Sequence, residues 1–333
     1  MEPNVAIIVP VYNMERYLRE CLDSLVGQTF RDIEIICFND ASTDSSIDIL
    51  REYAARDERF VIIDSPVNIK QGGGRNAGIR AARAPYIMFV DPDDWVEPDF
   101  VEKYYTKAVE TGADIVTGDY NTVTEGKVQP VCNLGINLPD DTEFIKRLRL
   151  EIDVPIWANL YKRCLFFKHN LFFPENIQLG EDSVIAAPSF LAAEKIAKID
   201  NYLYNYRIRS KTSSHGIDLN LFHYRYPTAI MTWENLKRID KDNKYTKEIN
   251  SLFIRYYYTM PFYWGLGLEK IPYEDIRKSV VNIYKFLTKK EINIYLSNQA
   301  RSVRLCFAVL PYSVRGAVLL QKSITAINKI LRR

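Results

Sequence analysis

The sequence predicts an α/β fold, a mostly parallel, doubly wound sheet with helices on both faces, followed by a helical carboxyl-terminal region. Apolar runs of strand length recur at residues 5–9, 33–38, 60–63 and 86–90, without the polar alternation of a half-exposed sheet. Strands buried on both faces read this way. Each run gives way to a polar turn and then to apolar residues at helical spacing, and such units in series imply right-handed crossovers between parallel strands. Beyond about residue 218 strand signals vanish and Tyr- and Trp-rich helical patterns take over. Domains are therefore expected at 1–217 and 218–333.

Taken in order, the first run stops at Pro10, which lacks a ladder donor. Asn13 is then placed to cap a helix whose Leu18, Cys21, Leu22, Leu25 and Val26 share one face, with Gly27 closing it. Run 33–38 leads into Asn39-Asp40-Ala41-Ser42-Thr43-Asp44, where Asp44 suits a cap for the helix carrying Ile47, Leu50 and Ala54. After 60–63, a loop over 68–74 precedes a small-residue helix around Ala77, Gly78 and Ala81. The fourth run is followed by a helix at 98–110, burying Val101, Tyr104, Tyr105 and Ala108, and by a short strand at 114–117. Residues 119–139 read as loop and short strands, and 142–150 as helix. An aromatic, basic segment follows at 157–163. Leu179-Gly180-Glu181-Asp182 heads an apolar helix through Ala193, the alternation at 202–206 is strand-like, and Arg207, Arg209, Lys211 and His215 crowd one polar loop.

Composition narrows the function classes. The chain has 333 residues, 47% hydrophobic and 26% charged, enough for a sizeable core. Its 44 Lys and Arg against 42 Asp and Glu leave a net charge of +2, which gives no bulk signal for nucleic acid. Five widely spaced cysteines, Cys21, Cys37, Cys132, Cys164 and Cys306, read as reduced core residues of a cytoplasmic protein. No signal peptide or membrane-length apolar run is seen. Residues 292–333 contain no Asp or Glu but carry Arg301, Arg304, Arg315, Lys322, Lys329, Arg332 and Arg333 among apolar residues. That tail is either a basic amphipathic surface for an anionic membrane's inner face or a terminal helix packed on the core. Lone His169 and His223 receive no role.

The chemistry concentrates in Tyr86-Ile87-Met88-Phe89-Val90-Asp91-Pro92-Asp93-Asp94-Trp95, an apolar strand that ends on three carboxylates. Crowded like charges call for a cation, and hard oxygens suit Mg²⁺ or Mn²⁺. The plainer alternative is a surface turn with Asp94 capping the next helix. In a doubly wound sheet several strand ends face one crevice, so Pro10, Tyr12, Asp40, the Gln71-Gly72-Gly73-Gly74-Arg75 loop and the Asp91 cluster are expected to converge there. Tyr12 would pack on a base or ribose, Asp40 would accept hydrogen bonds from either, and Arg75 would donate to base or phosphate. Together they make a nucleotide-diphosphate site. The glycine run has no Gly-Lys-Ser/Thr ending and is not a Walker A motif.

Ile7-Ile8-Val9-Pro10-Val11-Tyr12-Asn13, Phe38-Asn39-Asp40-Ala41-Ser42-Thr43-Asp44, Gly74-Arg75-Asn76-Ala77-Gly78 and Val90-Asp91-Pro92-Asp93-Asp94-Trp95 resemble, in order and spacing, the signatures of family 2 glycosyltransferases with the GT-A fold. The resemblance covers about residues 4–215. It implies a nucleotide-sugar donor, a divalent metal (Mn²⁺ or Mg²⁺) on an Asp-x-Asp motif matched by Asp91 and Asp93, and inversion at the anomeric carbon. Glu181-Asp182 is similar to the family's acidic pair, with Asp182 as general base, although Asp182 also stands where it would cap a helix starting at Ser183. Trp157 would flank the acceptor sugar or sit in the core, and Arg209 with its basic neighbours would close over the diphosphate or remain solvated. Two departures stand out. Asn39-Asp40-Ala41-Ser42 replaces the usual Asp-Asp-Gly-Ser, and Ala158-Asn159 stands where Asn-Lys commonly follows the tryptophan. The expected function is sugar transfer, from a UDP-sugar by frequency alone, to a saccharide or lipid-linked saccharide acceptor in cell-surface polysaccharide or lipopolysaccharide assembly. A metal-dependent nucleotidyltransferase and a non-catalytic nucleotide-sugar-binding module are the alternatives.

Overall fold

In the computed structural model the described residues are 2–131, 141–151, 155–175, 177, 180–209, 219–259 and 282–297. The chain begins β1 (Val5–Val11), α1 (Leu18–Val26), β2 (Ile33–Asp40), α2 (Ser46–Ala54), β3 (Phe60–Ser65), α3 (Lys70–Ala81) and β4 (Tyr86–Phe89). It continues with β5 (Trp95–Val96), α4 (Phe100–Thr111), β6 (Ile115–Thr124), β7 (Lys127–Val131), α5 (Thr142–Glu151), β8 (Asn159–Lys162), α6 (Cys164–Lys168), α7 (Glu181–Ala192) and β9 (Ile196–Arg207). These strands form one sheet in the order β3-β2-β1-β4-β8-β6-β9-β5, with β7 paired to β6.

The first half of the sheet is parallel, as its apolar runs require. Every residue of β1 and β2 is buried, and the two keep register from Val5 with Ile33 to Val11 with Asn39. Beyond β4 the sheet becomes mixed. β8 runs antiparallel between β4 and β6, while β6 and β9 run parallel. Asn159-Leu160-Tyr161-Lys162 has no apolar run, so a strand there escapes any reading of periodicity. β5 is two residues long and equally silent.

Five local expectations change. β1 passes through Pro10 to Val11, because Pro10 lies beyond the last β1–β4 pair, Ile8 with Phe89, where that side of the strand needs no donor. Asn13 caps nothing: its φ is 53° and α1 begins five residues later, at Leu18. The glycine run is not a loop but the first turns of α3, and α7 starts at Glu181 rather than Ser183. Cys164 is exposed at the head of α6, whereas Cys21 and Cys37 are buried.

The glycines of α3 let the helix approach the sheet. A Cβ on Gly78 would lie 2.5 Å from Ile8 Cγ2, and one on Gly72 would lie 2.7 Å from the Pro174 carbonyl oxygen. The low-propensity run is thus explained by close approach rather than by flexibility.

The chain divides into two compact units, Met1–Thr212 and Ser213–Arg333. In the second, the described residues form α8 (Leu219–Ile239), α9 (Thr246–Ile254), a π-helical turn at Arg255–Thr259, a 3₁₀ turn at Ile283–Lys285 and α10 (Lys289–Ser297). Trp233, Phe253, Tyr257 and Phe286 pack together there, with centroids 5.0 to 5.8 Å apart. Among the described residues no helix is long and apolar enough to cross a membrane. Leu179, Lys211, His215, Cys132, Cys306 and the basic tail beyond residue 297 lie outside the described residues.

Gly78→Ala is expected to lower stability by about 1–3 kcal/mol, the usual cost of overpacking a tight contact. Urea denaturation measures it, and a neutral substitution would mean that α3 is not held against β1 by this contact.

Candidate active site

Three loops at the carboxyl edge of the parallel strands are stitched side by side. After β1, Tyr12 is 46% exposed. The Asn13 amide donates to Ser42 Oγ at 3.1 Å, and Asn13 Oδ1 accepts from the Thr43 amide at 2.8 Å. Met14 N–H donates to Ser46 Oγ (2.8 Å) and Glu15 N–H to Asp44 Oδ2 (3.0 Å). Asp44 also accepts from the Ser46 amide (3.0 Å) at the start of α2, whose N-cap residue is Ser45 rather than Asp44. Buried Asp40 reaches onward to the third loop. Its Oδ1 accepts from the Ile69 amide at 2.6 Å and its carbonyl from Asn68 Nδ2 at 3.2 Å. Burial raises the Asp40 pKa, with the Ile69 and Lys70 amides opposing. Asn13, Ala41 and Lys70, one in each loop, have φ of 53°, 56° and 67°. Left-handed backbone costs a non-glycine residue roughly 1–2 kcal/mol, and such strain gathers at functional sites. Ala41 bears it where the resembled pattern has glycine.

Arg75 is the hub. Its side chain is fully buried, in contrast to the donor-facing arginine expected from the sequence. Nη2 donates to Asp91 Oδ1 at 2.8 Å, while Nη1 donates to Glu181 Oε1 at 3.2 Å and to Asp182 Oδ1. Gln71 Nε2 adds a bond to Asp91 Oδ1 at 3.0 Å. Both terminal nitrogens of Arg75 are committed to carboxylates, and its buried Nε has no hydrogen-bond partner among the described residues, so the side chain faces the acids rather than an open donor site. Burial alone would lower its pKa, but Asp182, Asp91 and Glu181 outweigh that and raise it. Glu181 is raised too, first by burial and then by the charge of Asp182. Asp182 is raised by burial against the pull of Arg75. No side chain caps α7, so Asp182 lies in its first turn as part of this network.

The acid cluster at the end of β4 is met by groups from β9 and its exit. Tyr204 accepts the Asp91 amide (3.1 Å) and donates to Asp94 Oδ2 (2.7 Å). Asp94 Oδ1 accepts the Arg207 amide (2.8 Å), so Asp94 holds β9 rather than capping α4. Arg207 Nε donates to the Asp93 carbonyl (2.9 Å) and Nη2 to Glu20 Oε2 (2.6 Å). Arg209 Nη2 pairs with Asp93 Oδ2 at 2.6 Å. Burial and then the Asp91 charge raise the Asp93 pKa, and Arg209 counters them.

Asp91, Asp93, Glu181, Asp182, Arg75 and Arg209 thus meet in one network, with Tyr12 and Asp40 on the stitched loops of the same strand ends. Two expected residues do not open onto it. Pro10 is buried within β1. Trp157, 8% exposed, stacks on Tyr204 and Tyr206 with centroids at 4.5 and 5.3 Å and meets Tyr120 edge-on, so it is a core ring rather than a sugar platform. Gln71 and Arg207 belong to segments expected at the crevice, whereas Tyr204 entered only through a tyrosine alternation that speaks of a strand rather than of partners.

Among the described residues no group of three His, Cys, Asp or Glu side chains is arranged to hold a metal ion. Asp91 Oδ2 and Asp93 Oδ1 nevertheless bond to no other described residue, because the network uses the opposite oxygen of each. Two hard oxygens fit Mg²⁺ or Mn²⁺, which ordinarily complete their shell with water and phosphate.

Two outcomes follow from the hub. Arg75→Met leaves three carboxylates facing one another and should cost about 3–5 kcal/mol in urea denaturation. A loss below about 1 kcal/mol, as for an exposed pair, would remove Arg75 from its central place. Glu181 titrates near 4.3 when unfolded but higher when folded, so the folded state holds an extra proton between the two values. Stability from this group is full below the unfolded value and is lost as pH rises toward the folded one. Glu181→Gln should therefore flatten the fall in urea midpoint between about pH 5 and 8, and an unchanged fall would reject the assignment.

Residues 6–155 match the family described as Glycosyl transferase family 2. Glycosyltransferase GlyA of Streptococcus pneumoniae is 37% identical over 229 residues, 64% of this chain and 32% of that protein. The chain thus spans about a third of GlyA's length. Putative glycosyltransferase EpsH of Bacillus subtilis is 34% identical over 259 residues, covering 76% of this chain and 74% of EpsH. The structure of S. aureus TarS 1-349 in complex with UDP-GlcNAc superposes with a TM-score of 0.80 at 19% identity, over 98% of this chain and 92% of that one. That likeness concerns the fold, which is of the GT-A type. On its sequence matches, and with the four strand-end motifs gathered on one rim, the chain belongs to family 2 of the glycosyltransferases.

Proposed function

We propose that the chain is an inverting glycosyltransferase that moves a sugar from a nucleoside-diphosphate donor, UDP-linked, to a saccharide or lipid-linked saccharide in cell-surface polysaccharide assembly. The observation that carries this reading is the Arg75 bridge, which sets Asp91 on one side of a single guanidinium and Asp182 on the other. A displacement with inversion needs an acid-binding end for the leaving group and a base for the nucleophile on opposite faces of the sugar. The UDP preference is supported by the TarS complex, which contains UDP-GlcNAc.

Each residue has a defined task. Tyr12, exposed beside the stitched loops, packs on the base, and Asp40 orders the loop that surrounds it. Asp91 and Asp93 would hold the metal, which when bound neutralises charge on the departing diphosphate. Asp182 removes the proton of the acceptor hydroxyl as that oxygen bonds to the anomeric carbon. The bond from the anomeric carbon to the diphosphate oxygen breaks in the same displacement, and its electron pair leaves with the nucleoside diphosphate. Of the three side chains on Arg75, Asp182 is the most open, at 33% exposed against 16% for Asp91 and 6% for Glu181. An acceptor can therefore reach it. Glu181, buried and raised in pKa, serves as a neutral neighbour that keeps a second charge away from the base.

Asp182→Asn should reduce UDP release from a panel of UDP-sugars by about 10²–10⁴-fold while leaving UDP affinity unchanged. In the parent chain the rate should fall with acid on a limb above the ordinary aspartate value of about 3.9, because burial raises the Asp182 pKa. Undiminished turnover in the variant would reject Asp182 as the base.

A further inference from the structure

Arg209 stands where a cation belongs. Its guanidinium carbon lies 5.3 Å from the Tyr17 ring centroid, Nη1 is 3.9 Å from Met14 Sδ, and Nη2 is paired with Asp93 Oδ2. Its Nε is buried with no hydrogen-bond partner. Arg207, two residues earlier, is fastened on several sides, by the Asp93 carbonyl, Glu20 and the Trp95 ring 4.5 Å away. Among the described residues Arg209 has one charged partner, and that partner is one of the two carboxylates with a free hard oxygen. A buried donor without an acceptor is costly, so this arrangement leaves Arg209 incompletely satisfied.

We propose that Arg209 is a surrogate cation for Asp93, handed to the donor's diphosphate when a divalent ion takes the carboxylate. The inference rests on the glycosyltransferase reading above and on a metal held by Asp91 and Asp93. A guanidinium bound to Asp93 opposes a dication at the same carboxylate, and a diphosphate offers the guanidinium several oxygens in the bidentate geometry it prefers. Nucleotide binding therefore draws Arg209 off Asp93 and improves the cation site. By linkage, the cation improves nucleotide binding by the same factor. Arg207, tied elsewhere, keeps β9 in place through the exchange.

Mn²⁺ binding to the full chain, followed by the electron paramagnetic resonance signal of free Mn²⁺ with and without UDP, tests this apart from turnover. In the parent chain UDP should tighten Mn²⁺ binding. Arg209→Gln should bind Mn²⁺ alone about tenfold more tightly than the parent, since a charge-assisted bond no longer competes, and should lose most of the tightening by UDP. Arg209→Lys, which keeps the charge, should return toward parental behaviour. Asp93→Ala should abolish Mn²⁺ binding in every background. If Arg209→Gln binds Mn²⁺ alone no more tightly than the parent, the surrogate role is overturned while the metal site stands. If the parent binds no Mn²⁺ through Asp93 even with UDP, the metal assignment falls and the surrogate role falls with it.

Discussion

A fully buried guanidinium is the constraint on which the active end of this protein depends. Arg75 cannot be left without anions in a dry interior, because an unpaired buried charge costs several kcal/mol. Its partners come from 16 residues away at the end of β4 and from 106 and 107 residues away at the start of α7. Satisfying one side chain therefore pins α3, β4 and α7 to one another. The glycines of α3 belong to the same arrangement, since the contacts at Gly72 and Gly78 leave no room for a Cβ. Gln71, one turn before Arg75, adds a second bond to Asp91 and fixes which of its oxygens faces inward.

The acid cluster is the complementary half of this design. Asp93 and Asp94 are raised in pKa by burial and by their acidic neighbours, a repulsion opposed at Asp93 by Arg209 and Arg207 and at Asp94 by hydrogen bonds from the Arg207 amide and Tyr204. Relief comes from Arg207 and Arg209, which β9 and its exit bring back to the end of β4, while Tyr204 locks Asp91 and Asp94 at their backbone and carboxylate. The stitched loops at the same strand ends add backbone strain. Asn13, Ala41 and Lys70 sit in left-handed conformations, the first two beside the reciprocal side-chain and amide bonds that join their loops and Lys70 beside its own amide's bond to Asn68 Oδ1. Rigidity at the strand ends thus has two sources, paired charge and stitched loops.

β1 was legible because burial on both faces leaves an unbroken apolar run, β2 and β3 because their apolar residues still dominate despite Glu34 and the half-buried face of β3, and the motif residues were legible because they end those runs. What escaped was set by neighbours. The glycine run suggests a loop on propensity, yet it is helix, packed so closely against Phe38, Phe173 and Pro174 that a Cβ at Gly72 or Gly74 would collide. Trp157 reads equally as platform or core, and the tyrosines of β9 decide for core. Arg75 carries the expected charge but faces carboxylates, since nothing local tells an arginine which anion will be nearest. β8, with neither an apolar run nor β-branched residues, becomes a strand because β4 and β6 each present it an edge.

By itself the sequence determined the local part of this protein: the alternation of strand and helix, the polar turns at the strand ends, and the family that their order and spacing identify. Those features depend on residues close together in the chain, where periodicity and turn chemistry act directly. Only the tertiary structure decided which carboxylates share Arg75, which oxygens remain open, and that Arg209 rests on Asp93. These outcomes depend on charges brought together from 16 to more than a hundred residues apart, and Coulomb energy and desolvation are set by distance in space rather than by distance in sequence.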